Sequence, residues 1–150
     1  MDWLCTVRVT YLTRINLKSE FIGSLMAFKL MDRTKILHTA VENGGYECRT
    51  DNNSVNMANI STCLKLVSEG LLFHGTTEQD AYDKQVKWFH PTLSGILIDT
   101  QEKLAYLINR GKPLSKRKSE ILNAKRILED KPNLASVLNE DILKLIRDYK

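Results

Sequence analysis

Gly70-Leu71-Leu72-Phe73-His74-Gly75 is the stretch on which the fold class turns. An apolar run this short, bounded by glycines, is too brief for a helix and reads as a buried strand over 71–74. Three further segments join it. Val86 to Phe89 reads as extended and is closed by Pro91, and Ile96-Leu97-Ile98 gives a second buried-strand candidate over 95–98. Near the start, Val7, Val9 and Tyr11 alternate with Arg8 and Thr10, which predicts a half-buried strand over 4–12. The expected fold is therefore α+β: a helix-rich single domain over 1–150 with a small sheet and C-terminal helices.

The helices are read from caps and faces. Asn16 or Ser19 can cap a helix whose Leu17, Phe21, Leu25 and Phe28 share one face, and Asp32 and Thr34 offer a second cap, so the stretch to Glu42 is one long helix or two. Asn43-Gly44-Gly45 ends it, since glycine takes the left-handed conformation at little cost. Residues 43–54 read as a polar loop. Ser54 caps the next helix, with Met57, Ile60, Leu64 and Val67 inside and Gly70 just past its end. Asp99 and Glu102 form a pattern like a capping box ahead of Leu104, Leu107 and Ile108, and Gly111 closes that helix. Ser115 caps a segment that stops before Pro132, and Asn139 caps the last helix, with Glu140 and Asp141 in its first turn.

Composition narrows the class. The 150 residues are 43% hydrophobic and 27% charged, which sets aside disordered and low-complexity readings. No apolar run approaches the ~20 residues of a membrane span, and the start lacks the pattern of a secretory leader, so a cytoplasmic protein with no membrane partner is expected. Cys5, Cys48 and Cys63 form no C-x-x-C pair, which predicts reduced thiols rather than a disulfide framework or a zinc site, and no metal is expected. The chain holds no G-x-S-x-G, P-loop or G-x-G-x-x-G.

The strongest chemical hint is Phe73-His74-Gly75-Thr76. A strand that ends in a His, then a Gly, then a small hydroxyl can form a shelf. The glycine admits close backbone approach, and His74 and Thr76 can bond neighbouring hydroxyls. This resembles the opening motif of the ADP-ribosyltransferase superfamily, particularly its poly-ADP-ribose polymerase-like branch. Lys87-Trp88-Phe89 resembles the aromatic strand that follows there, and Ala105-Tyr106 resembles the helix whose tyrosine stacks on nicotinamide. The resemblance spans 71–106 and implies an NAD-binding module with His74, Gly75, Thr76 and Tyr106 at the cofactor. Such families also use a late acidic residue on a strand. Glu120, Glu129 and Glu140 all fall on expected helices, so no catalytic residue is assigned and weak or no transfer is expected.

The other hint is electrostatic. The formal charge is +4, yet 109–126 alone holds Arg110, Lys112, Lys116, Arg117, Lys118, Lys125 and Arg126 against the single acid Glu120. Such a segment can dock nucleic acid or an acidic protein partner through Lys112, Lys116, Arg117, Lys118, Lys125 and Arg126. No aromatic residue is interleaved, so base stacking is not expected there.

Overall fold

The computed structural model describes residues 32–49, 54–79 and 85–150; the strand expected over 4–12 and the helical face of 17–30 lie outside them. The fold is α+β, helix-rich, with one three-stranded antiparallel sheet. The described residues gather into two compact units, 32–96 and 97–150.

In the first unit, helix α1 spans Arg33–Asn43. Asp32 caps it by accepting from the Lys35 amide at 2.8 Å, and Gly44 ends it at φ 78°. Ile36, Leu37 and Ala40 form its buried face. The chain then enters strand β1, Tyr46–Arg49, where the sequence predicts a polar loop. Tyr-Glu-Cys-Arg gives too few residues for alternation to register, and its partner strand lies some 40 residues downstream (Tyr46 opposite Phe89). Helix α2, Ser54–Ser68, closes with Gly70 at φ 79°. The Gly70 amide donates to the Val67 carbonyl at 3.0 Å and the Leu71 amide to the Leu66 carbonyl at 2.9 Å, the paired bonds of a Schellman end.

Strand β2 runs Leu72–Gln79 and β3 runs Gln85–Pro91, with β3 central in the order β1-β3-β2. The strands expected at 71–74 and 86–89 are thus present, and β2 continues past 74, where the sequence predicts its end. It does so through a register shift between His74 and Thr77, which absorbs the extra residue as a bulge instead of ending the pairing. Leu72 and Phe89 are buried at 1% and 0% exposure, and they mark the face of the sheet that carries the core.

The strand expected over 95–98 is not a strand. Ile96-Leu97-Ile98 belongs to helix α3, Leu93–Asn109. Three apolar residues in a row fit a buried strand and a buried helix turn equally, and the deciding signal sits upstream. Thr92 is the cap: its side-chain oxygen accepts from the Gly95 amide at 3.0 Å, its carbonyl accepts from Ile96 at 3.0 Å, and its hydroxyl donates to the Gly70 carbonyl at 2.6 Å. Gly95 is required by packing, because a Cβ there would collide with the Leu71 carbonyl oxygen. Asp99 is consequently not a cap but a buried mid-helix residue.

In the second unit, α3 ends at Gly111, φ 65°. A 3-10 turn at Leu114–Arg117 leads into helix α4, Lys118–Asp130. Ser115 therefore lies inside the turn; Arg117 holds the N-cap position and gives no side-chain cap. Ile121, Ala124, Ile127 and Leu128 are buried. Pro132 opens a second 3-10 turn, Pro132–Val137, and helix α5 spans Glu140–Asp148. Asn139 caps α5 by accepting from the Asp141 amide at 2.8 Å, while its own amide donates to Gln101 Oε1 at 2.7 Å. That bond ties the α5 cap to α3.

Candidate functional site

The shelf motif lies on β2, an edge strand of the described sheet. His74 is exposed, and its Nε2 shares a hydrogen bond with Thr77 Oγ1 at 3.1 Å. Its ring stands 5.3 Å from that of buried Phe89, tilted by 35°. Thr76 is exposed. The register shift leaves Gly75 and Thr76 without register partners on β3.

The reason for a glycine at 75 is local. A Cβ there would collide with the His90 ring, and a Cβ at Gly45 would come within 3.0 Å of His90 Nδ1. His90 Nδ1 donates to the Gly44 carbonyl at 2.8 Å, and its ring stands 5.4 Å from Phe73. Two glycines far apart in the chain thus make room for one imidazole. The space that the motif reserves beside Gly75 is used by His90, so only the backbone edge of Gly75 remains for a ligand. His90 has no place in the sequence-predicted site. Its signal is the pair of glycines, which only the sheet brings to the same ring.

Tyr106 belongs to the other unit. It is 45% exposed, and the Arg110 guanidinium lies over its ring, 4.7 Å from the centroid. His74, Gly75 and Thr76 fall in 32–96 and Tyr106 in 97–150.

The basic segment is sorted by the structure into engaged and unengaged charges. Arg117 pairs with Glu120 at 3.0 Å. Burial alone would raise the Glu120 carboxyl, but its own backbone amide, Arg117 and Ser119 outweigh that and hold it below the usual carboxylate range. Lys125 Nζ donates to the Tyr149 carbonyl at 2.9 Å, and Arg126 donates to Asn123 Oδ1 at 3.1 Å. Lys112, Lys116 and Lys118 are exposed and their side chains make no hydrogen bond or ion pair among the described residues. Beneath this surface, Lys103 and Asp99 form a buried i,i+4 pair at 2.8 Å with side chains 6% and 2% exposed, and Glu120 lies 3.8 Å from Lys103. The i,i+4 spacing of Asp99 and Lys103 is the local mark of a helical ion pair, but nothing local shows that the pair is buried.

Among the described residues no helix is long and apolar enough to cross a membrane. Comparisons with protein-family models, curated proteins and solved structures give no match for this chain.

Proposed function

We propose that the chain is a binding protein that docks nucleic acid or an acidic protein partner through the segment Arg110–Arg126. The observation that carries this reading is the state of Lys112, Lys116 and Lys118. All three are exposed and unengaged among the described residues; Lys112 precedes the 3-10 turn, Lys116 lies in it, and Lys118 opens α4. Long lysine stems reach phosphate or carboxylate at little cost, and a helix N-terminus carries positive potential of its own. Arg117 contributes less, because Glu120 already neutralises it. Lys125 and Arg126 keep their charge while bonded to neutral oxygens.

Binding of a labelled DNA or RNA oligonucleotide, measured from low to moderate salt, tests the reading. A patch that neutralises three phosphates gives a log–log salt slope of about −2.7 for duplex DNA and about −2.1 for a single strand. Replacing Lys112, Lys116 and Lys118 by Gln removes most of that slope. An unchanged slope rules the patch out, and a titration with polyglutamate separates an acidic-protein preference from a nucleic-acid one.

A second reading rests on its own observation, the interrupted register at Gly75 and Thr76 on an edge strand. His74 and Thr76 are exposed on either side of Gly75 at that interruption. This supports an NAD-binding module of the ADP-ribosyltransferase type, in which Gly75 holds the nicotinamide amide and His74 bonds a ribose hydroxyl. Titrating NAD calorimetrically into wild type and His74→Ala tests it. Heat that is lost in the variant supports the reading; equal or absent heat in both ends it.

A further inference from the structure

Cys48 on β1 and Cys63 on α2 are both free thiols in the core of the sheet unit, 4% and 0% exposed, with their sulfurs 3.7 Å apart. A bonded pair of sulfurs stands ~2.05 Å apart, so closure asks for a short approach of the two sulfurs, which side-chain rotation can supply in part. The two positions are 15 residues apart in sequence and belong to different elements. The thiols are also unlike each other: the hydrogen bond between them holds Cys48 below the ordinary thiol range and pushes Cys63 well above it.

We propose that Cys48 and Cys63 form a reversible redox pair, closed to an intramolecular disulfide by small hydroperoxides, that locks β1 onto α2. In the first step the Cys48 sulfur attacks one peroxide oxygen. The S–O bond forms, the O–O bond breaks, and water leaves, with Cys48 as the sulfenic acid. In the second step the Cys63 sulfur attacks the Cys48 sulfur. The S–S bond forms, the S–O bond breaks, and the departing hydroxide takes the Cys63 proton as a second water. Two thiols and one hydrogen peroxide thus yield one disulfide and two waters, and a dithiol reverses the change by exchange. Burial favours this pairing over further oxidation, because the nearest nucleophile to a Cys48 sulfenic acid is Cys63 at contact distance. The same burial restricts the oxidant to small molecules.

The test uses the full chain with Cys5→Ser, which leaves two thiols. Protein is treated with hydrogen peroxide, quenched, alkylated under denaturing conditions, and read by intact mass and peptide mapping. The expected result is loss of two hydrogen atoms, no alkylation, and a linked peptide joining residues 48 and 63 in one chain. A rise in Tm of about 5–10 °C that dithiothreitol reverses should accompany it, since the bond closes a loop of this length. In a second variant, Cys63→Ala, the same treatment should give no intramolecular disulfide and no reversible rise in Tm. Two alkylatable thiols after treatment, sulfinic acid at Cys48 with Cys63 present, a bond only between chains, or a lowered Tm in the linked form would each overturn the proposal.

Discussion

The sheet unit and the helical unit use their polar residues in opposite ways. In 32–96 the residues that look chemical are occupied by structure: His90 fills the space between Gly45 and Gly75, Thr92 caps α3, and Gly95 admits the Leu71 backbone. In 97–150 the arrangement is layered. Asp99 and Lys103 are buried as a pair, whereas Lys112, Lys116 and Lys118 stand in solvent. The contrast teaches that a glycine or histidine in a tight sheet is a poor pointer to a ligand, because close strand packing creates its own demand for small and flat groups. An exposed lysine without a partner is a better one, because no fold requires it.

The largest effect that can break this contrast is in the helical unit. Lys103→Met leaves Asp99 buried without its ammonium and should cost about 3–5 kcal/mol in urea denaturation; a loss under about 1 kcal/mol would show that the pair is not structural. Gly95→Ala comes next. The atom that a new methyl meets is backbone, which cannot rotate away, so a loss of about 3 kcal/mol is expected despite alanine's better helix propensity. Gly75→Ala meets only a side chain and should cost about 2 kcal/mol. That cost should vanish in a His90→Ala background, as read from a double-mutant cycle; a cost that persists would mean that Gly75 is kept for another purpose.

An alkaline titration sharpens the sheet side. Burial, reinforced by Cys48 and Cys63, pushes the Tyr46 phenol up to about 12 from 10.0. A group whose folded pKa is raised contributes stability that is complete below the unfolded value and is lost as pH rises through the folded one. Stability should thus fall between pH 10 and about 12, by on the order of 1 kcal/mol after solvent screening, and Tyr46→Phe should flatten that limb of the denaturation profile. The smallest effect is on the surface. Replacing Lys112, Lys116 and Lys118 together by Gln should leave stability within about 0.5 kcal/mol while it weakens oligonucleotide binding, which separates a binding role from a structural one.

Much of the fold is legible in the amino-acid order. Asp32, Gly44, Gly70, Gly111 and Asn139 mark helix ends where expected, because capping is a matter of one residue's dihedral angle and one side-chain bond. The strand beginning between Gly70 and Gly75 and the one before Pro91 are legible for the same reason, being bounded by residues of restricted or permissive backbone. Residues 95–98 are not, since three apolar residues in a row fit a strand and a helix turn equally, and the Thr92 cap that settles it is itself held by the Gly70 carbonyl 22 positions upstream. The β1 strand is hidden likewise, with four residues whose partner lies on β3.

For the candidate site, the surplus of positive charge over 110–126 can be counted from the letters alone. Which charges are engaged cannot, because Arg117, Lys125 and Arg126 find their partners through helix geometry and through Tyr149, 24 positions from Lys125. By itself the sequence determined helix ends, the α+β class and the location of excess charge, all of which depend on neighbours within a few residues. Only the tertiary structure decided that His90 claims the space at Gly75, that the Asp99–Lys103 pair is buried, and that Cys48 meets Cys63. Those outcomes depend on packing at van der Waals distance, for the most part between segments far apart in the chain, and no local rule contains that information.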